Sequence, residues 1–248
     1  MGIGNTIVSG LAGGLLALGG ITYMQSHPPR ETLVGLVGTA VASTGTAATT
    51  PATAATSSLP APAPTTASVA RKAELRTTLR RLFEDRMTYT RSSIVSVLTN
   101  SSDLAAVTAR LMRNQDDVGN ALKPYLGAEP AAKLTALLKE QVTLGTAVIK
   151  AAKTGDRGKL AAAKKSWSDN GAAVAATLNA ANPGWPTTTM TEALQKHLDL
   201  TVREVTARLL NDWPADIKAY DDANQQLLGF ADTLTDGIAR QFPDKFSG

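Results

Sequence analysis

The chain contains no cysteine. Disulfide bonds, thiolate nucleophiles and zinc or iron–sulfur sites built on cysteine are therefore excluded as sources of its structure or chemistry. Aromatic residues are also scarce, at 4% of the 248 residues. A core made mainly of small aliphatic side chains suits closely packed helices better than a sheet.

Charge is almost missing from the beginning of the chain. Before residue 68 the only charged side chains are Arg30 and Glu31, although the whole chain has a net charge of +4. Further on, basic and acidic residues are interspersed, and the densest basic run, residues 71–91, is typical of a solvated helix face. A nucleic-acid surface would concentrate basic residues on one face beside stacking aromatics. We therefore expect no nucleic-acid partner.

Recognisable catalytic signatures are missing as well. The sequence has no GxGxxG, P-loop, HExxH or GxSxG motif. Each of these would indicate a specific chemistry, because each places a phosphate cradle, a metal ligand or a nucleophile in a defined backbone setting. Their absence favours a protein that is not an enzyme.

An uncharged apolar segment, residues 6–24, stands near the start of the chain. Its length is about what a helix needs to cross the ~30 Å hydrocarbon core of a bilayer, so we predict a membrane anchor. Gly10 and Gly14 have the GxxxG spacing that lets membrane helices approach closely, and they offer a contact for a homo-oligomer or a protein partner. The chain start also fits the pattern for N-myristoylation at Gly2, a second possible means of attachment.

A second apolar run, residues 32–43, has two interpretations. It is either a short second membrane span or the core of a signal peptide that follows Arg30 and ends in an A-x-A cleavage pattern at Ala42. Cleavage after Ala42 would give a secreted protein instead of an anchored one. Both interpretations place the loop around His27 in the cytoplasm and export everything that follows the run.

The next stretch, residues 44–67, consists of alanine, threonine, serine and proline without charge. It has no apolar periodicity that could form a core, so we predict a flexible linker that holds the rest of the chain away from a surface. The chain is thereby divided into an anchor or signal region (1–43), a linker (44–67) and a third region (68–248).

The third region is predicted to be helical throughout, because apolar residues recur with a period of 3.6. Ser102 before the second helix, and breaks at Gly and Pro further along, separate six helices, at about 69–99, 103–125, 130–153, 157–181, 190–211 and 214–241. Thr189 and Glu192 have a capping-box spacing that predicts the start of the fifth helix. Short connections favour antiparallel neighbours, so the fold class is all-α, an up-down helical bundle. A faint similarity between residues 86–90 and 197–201 suggests two related halves.

Polar side chains interrupt the apolar stripes of these helices. In the last helix, for example, the stripe through Ile217, Tyr220 and Leu227 also takes in Asn224. Burying such groups without partners would cost about 1–3 kcal/mol each, so we expect them to meet in one internal layer. The candidate members are Arg86, Gln115, Gln141, His197, Asp221 and Asn224. Such a layer either fixes the register of the helices or forms a site for a small ligand or a divalent metal.

Several segments in combination resemble a largely uncharacterised family of bacterial helical proteins. They are LRRLFEDRMTYTRSSIVSV, LMRNQDDVGNALKPYLG, ALLKEQV, HLDLT and DWPADIKAYDDANQQLLGFADTLTDGIARQFP, which lie between residues 75 and 243. The resemblance implies histidines in relatives at the positions of Arg86, Gln141, Asn224 and His197, a constellation suited to a metal or cofactor. This chain keeps only His197, and the family supplies no activity to transfer.

Taken together, the sequence predicts a membrane-anchored, exported helical bundle that serves as a structural or protein-interaction module. The alternative is a bundle that binds a metal or a small ligand through a polar layer in its core.

Overall fold

A computed structural model describes residues 66–246. The predicted apolar segments, the GxxxG pair, the patterns at Gly2 and Ala42 and nearly all of the linker lie outside the described residues. Within the described part of the chain, no helix combines the length and the hydropathy that a membrane span requires.

Helices account for all the regular structure between residues 66 and 246, so the predicted all-α class is confirmed. The helices are α1 (Thr66–Thr99), α2 (Leu104–Leu126), α3 (Ala128–Thr154), α4 (Arg157–Ala181), α5 (Thr187–Leu209), α6 (Trp213–Gln241) and the single turn α7 (Pro243–Phe246). The six predicted helices correspond to α1–α6, and α1 includes the last two residues of the predicted linker.

The six long helices form a closed ring. Each packs against the helix before and after it, and α6 packs against α1 to complete the circle. Near the start of α1, Arg76 contacts Asp236 near the end of α6, so these two helices are antiparallel. By contrast, Lys153 at the end of α3 donates to the carbonyl of Val97 at the end of α1, so α1 and α3 are parallel. The predicted up-down bundle is therefore confirmed.

The three parallel helices end in the same way, at the same end of the bundle. A residue with positive φ follows each of them closely: Asn100 at 55° after α1, Gly155 at 70° after α3 and Asn211 at 58° after α5. Glycine and asparagine tolerate this left-handed conformation, which stops a helix. The helix starts that follow are capped by Asp156 and Asp212, whose carboxylates accept from backbone N–H groups in the first turn of α4 and α6.

The start of α5 differs from its prediction. The helix begins at Thr187, directly after Pro186, and the N-cap position makes no side-chain capping hydrogen bond. The predicted capping box of Thr189 and Glu192 is therefore wrong. Pro186 is the N-cap residue, with φ −57° and ψ 133°, so Thr189 lies within the first turn of the helix and cannot be its N-cap.

The apolar core is divided along the length of the bundle. The largest cluster fills the half in which α1, α3 and α5 begin, and two smaller clusters lie toward the other end. The large cluster includes Leu79, Leu122, Leu134, Leu178, Trp185 and Ile238. The smaller ones are centred on Ile94, Ile149 and Val205 and on Val148, Trp167 and Leu198. Polar side chains occupy the level between these clusters.

Trp185 closes the end of the large cluster from the loop between α4 and α5. Its side chain is fully buried, and its indole N–H donates to the carbonyl of Thr233 at 3.2 Å. Asn179 holds the loop by donating its amide to the carbonyl of Trp185. The indole lies directly over Gly237 of α6, where a Cβ atom would collide with the ring. Glycine at position 237 is therefore what allows α6 to accept this tryptophan.

Candidate functional site

A layer of buried polar side chains crosses the middle of the bundle. Arg86 of α1 is 5% exposed, and Gln115 of α2, Gln141 of α3 and His197 of α5 are equally withdrawn from solvent. Asn114, next to Gln115 on α2, is also fully buried. We call these five residues the polar layer. Each takes a position on the inner side of its helix that the apolar periodicity would otherwise give to a leucine or valine.

Hydrogen bonds centred on Arg86 hold the layer together. Its Nη1 donates to Oε1 of Gln115 at 2.8 Å, and its Nη2 donates to Oε1 of Gln141 at 2.6 Å. The amide of Gln115 donates in turn to the side-chain oxygen of Asn114, and the amide of Asn114 donates to the carbonyl of Leu82. The guanidinium thus joins α1, α2 and α3. Such a network specifies helix register, because a slipped helix would leave several buried groups unpaired.

His197 belongs to the polar layer but takes no part in the hydrogen-bond network around Arg86. Its imidazole meets the Trp167 ring edge-on, with centroids 6.3 Å apart, and its Nδ1 atom has no hydrogen-bond partner in the described structure. Burial, with the nearby charge of Arg86 as a second cause, lowers the pKa of His197 to about 3. The side chain is therefore a neutral imidazole at physiological pH.

Two predicted members of the layer lie elsewhere. Asp221 is exposed and Asn224 is half-buried, so placing them inside the bundle was wrong. On α6 the inward positions belong to Asp216, Ala219 and Ala223. These small or charged residues were not counted in the apolar stripe, and the predicted inner face was therefore rotated away from the true one.

The polar layer does not suit a divalent metal. It offers one imidazole nitrogen and neutral amide oxygens, whereas a tight site requires more histidine or carboxylate ligands. Arg86 also places a positive charge among them, which opposes a second cation. Within residues 66–246, no group of three or more histidine, aspartate or glutamate side chains could hold a metal ion. The histidine constellation implied by the family resemblance is not reproduced here.

A second set of buried polar side chains lies closer to the end of the bundle at which the chain turns from α5 into α6. Arg91 Nη1 donates to Oε1 of Glu204 at 2.7 Å, and its Nη2 donates to Oδ2 of Asp216 at 2.9 Å. Arg208 Nη1 donates to the same oxygen of Asp216 at 2.7 Å. These four residues form the ionic cluster, which ties α1 to α5 and α6. Both carboxylates are almost completely buried, with 0% of Glu204 and 1% of Asp216 exposed.

The two carboxylates of the ionic cluster are not equally satisfied. Asp216 accepts from both arginines, whereas the Oε2 atom of Glu204 has no partner among the described residues. Burial raises the pKa of Glu204 to about 7, and the charge of Arg91 acts in the opposite direction. We infer that the effect of burial on this pKa outweighs the effect of the Arg91 charge, because only one oxygen of Glu204 is paired.

Sequence reasoning missed the ionic cluster because it treated charged residues as solvent-facing. The basic run of α1 was interpreted as a solvated face, yet Arg86 is buried and the side chain of Arg91 is only 22% exposed. A signal was present in α5. Glu204 follows His197 by seven residues and precedes Val205, so it continues the buried side of that helix.

At the surface, large apolar side chains gather at the turn between α5 and α6. We call this the apolar corner, and it consists of Leu209, Leu210, Trp213 and Ile217. Leu210 is 73% exposed, and Trp213 and Ile217 are each about half exposed. The Arg208 guanidinium lies over the Trp213 ring, 5.7 Å from its centroid, and links the apolar corner to the ionic cluster.

The comparisons with known proteins provide no relative. No family model, no curated protein and no solved structure matches the chain.

Proposed function

We propose that this chain is a membrane-anchored, exported helical bundle that acts as a protein-interaction module. The apolar corner is the observation that carries this proposal. Of the five exposed large apolar side chains among the described residues, four belong to it. Single exposed apolar residues are common on protein surfaces, whereas a cluster of them marks a binding surface.

The position of the apolar corner suits a tethered protein. The chain enters the bundle at Thr66, the start of α1, whereas Arg91 at the level of the ionic cluster lies 25 residues further along the same helix. At about 1.5 Å per residue, this separates the entry point from the corner by roughly 38 Å. An anchor in residues 6–24 and a linker that ends where α1 begins would attach to the start of α1 and leave the corner free to meet a partner.

The charges beside the apolar corner indicate the kind of partner. Asp212 precedes Trp213, and Asp221 continues the line of Trp213 and Ile217 at four-residue intervals along one side of α6. Both aspartates are exposed, and neither forms an ion pair within the described part of the chain. Lys218, by contrast, is paired with an aspartate on its own helix. A different protein with an apolar face bordered by lysine or arginine side chains would complement this surface.

Site-specific photo-crosslinking of the full chain tests this proposal. A benzoylphenylalanine at position 217 is expected to give a discrete adduct in cells that make the protein, and the cross-linked peptide should be apolar with flanking basic residues. The matched control carries the same group at Lys159 of α4, whose side chain is 77% exposed, and should give no such adduct.

Two substitutions make the crosslinking experiment decisive. Trp213→Ser should greatly reduce the adduct from position 217, and Asp221→Lys should reduce it further at low salt because it reverses the charge at the rim. An adduct between two copies of the chain, or a yield that neither substitution changes, would contradict the proposed partner.

The export part of the proposal is tested separately. Protease added to intact cells or particles should cut the linker between residues 44 and 65 and release the bundle. Complete protection of the linker, with cleavage only after membrane disruption, would refute export while leaving the interaction surface to be judged by crosslinking.

A further inference from the structure

Arg86 carries a buried charge that no carboxylate balances. None of the ion pairs among residues 66–246 includes it, and its two hydrogen bonds go to the uncharged oxygens of Gln115 and Gln141. Burial lowers the pKa of Arg86 only to about 10, so the guanidinium remains positive at neutral pH. A buried charge normally requires a partner of opposite charge, because desolvation costs several kcal/mol.

The side chain of Arg86 lines a small cavity of about 30 Å³ between helices α1 to α5. Arg86, Ser93, Gly145, Trp167 and His197 contribute to its wall. A cavity of this size holds one small ion or one or two water molecules, and it is too small for a nucleotide or a sugar. Its location places any occupant beside the guanidinium.

The other side of the cavity favours an anion over a cation. His197 is buried and its Nδ1 atom is unpartnered, so in one neutral tautomer it can donate a hydrogen bond. Of the five N–H groups that a guanidinium carries, only two donate to acceptors in the described structure, which leaves others for an occupant. No aspartate or glutamate lines the cavity within the described residues.

We propose that this cavity binds a small monovalent anion of the halide class, with chloride as the physiological example. The guanidinium of Arg86 supplies the opposite charge, and His197 supplies a neutral donor. The anion completes the electrostatic balance of the polar layer and so stabilises the bundle. This inference does not depend on the proposed interaction function, because the cavity lies inside the bundle and the apolar corner lies on its surface.

The first test measures thermal unfolding of the purified full chain while chloride replaces gluconate at constant ionic strength. Constant ionic strength keeps charge screening equal, so a change reports specific binding. We expect the midpoint to rise by about 3–6 °C between 1 and ~300 mM chloride, as expected for a ligand that binds only the folded state. A midpoint that stays constant over this range would overturn the proposal.

The second test identifies the position of the anion without any substitution. Crystals of the full chain grown in bromide should show one anomalous scattering peak in the cavity, within contact distance of the Arg86 guanidinium. A water molecule at this position, with bromide found only on the surface, would overturn the proposal.

Matched variants connect the two measurements. Arg86→Met removes the charge with little change in length and should abolish the chloride dependence. Arg80→Met removes an arginine from the outer face of the same helix, where it pairs with Asp232, and should keep that dependence. Equal chloride dependence in both variants would contradict the assignment to Arg86. If Arg86→Met does not fold, the bromide position in the unaltered chain still decides the question.

Discussion

His197 illustrates how burial changes the behaviour of a single residue. Its folded-state pKa of about 3 lies below the ordinary value of 6.5, so on acidification the unfolded chain takes up a proton that the folded chain does not. The stability that depends on neutral His197 is therefore complete above pH 6.5 and is lost as the pH falls toward 3.

His197→Gln should remove this part of the pH dependence. In the unaltered chain the free energy of unfolding should fall by up to about 1.4 kcal/mol per pH unit below pH 6, and the variant should show a smaller slope. Urea unfolding at a series of pH values measures both slopes. His27, the other histidine of the chain, provides the control, because His27→Gln should leave the slope of the bundle unchanged. An NMR titration of His197 with a midpoint near 6.5 would contradict the argument.

Within α6, two glycines have opposite roles. Gly237 lies under the indole of Trp185, whereas a Cβ atom at Gly229 would meet nothing within 4 Å. Gly237→Ala should destabilise the bundle by about 2–4 kcal/mol, because the tryptophan must move or the helices must separate. Gly229→Ala should stabilise it by about 0.5–1 kcal/mol, because alanine favours the helix. Chemical denaturation of both variants checks this, and equal effects would show that Trp185 can adapt.

The ionic cluster couples the packing of α1, α5 and α6 to pH. The pKa of Glu204 is raised from 4.5 to about 7, so protonation favours the folded state. Its contribution is complete below pH 4.5 and is lost as the pH rises through 7, the reverse of the histidine case. Glu204→Gln keeps an acceptor for Arg91 but cannot ionise. It should therefore flatten the stability profile between pH 5 and 8, whereas Asp222→Asn, a change at a partly exposed position on α6, should not.

At the scale of helices, the sequence predicted where α1–α6 lie because apolar periodicity and the breaks between helices are local properties. It predicted the inner face less well. On α6, Ile217 was assigned to the inside, yet Asp216 and Ala219 face the interior and Ile217 is 51% exposed. The side chains of neighbouring residues on a helix point in directions that differ by about 100°. If the buried stripe is assigned one residue too far along, the predicted inner face therefore points toward solvent. Only tertiary partners, such as Arg91 for Asp216, determine that choice.

The candidate site was also predicted only in part: four members of the polar layer were identified, but its charge balance was not. Arg86, Gln115, Gln141 and His197 meet in the polar layer, because four helices of an up-down bundle bring residues at the same height together. The sequence could not show that the layer contains an arginine without a carboxylate, or that a carboxylate pair lies near it on α5 and α6. Those properties depend on contacts between side chains that are far apart in the sequence.

Over the whole of the bundle that residues 66–246 form, the ring closes where the first and last long helices meet. On this seam Arg76 and Lys72 pair with Asp236, and Arg80 pairs with Asp232. The pKa of Asp236 is lowered, first of all by its hydrogen bond with Lys72, and partial burial acts in the opposite direction. The surroundings of Asp236 therefore favour its negative charge. The seam joins residues about 160 positions apart, so its contacts form only when the ends of the bundle sequence come together.

Because these pairs are partly exposed, we expect their contribution to be small and to depend on salt. The double variant Asp232→Asn with Asp236→Asn should lower the unfolding midpoint at 10 mM salt and approach the unaltered chain at ~0.5 M salt, where the Debye length is only a few ångströms. Asp169→Asn removes a pair within α4 and provides the control, since it should change the midpoint less at either salt concentration. A deficit in the double variant that persists undiminished at high salt would mean that the seam depends on the shape and hydrogen bonding of these side chains and not on their charge.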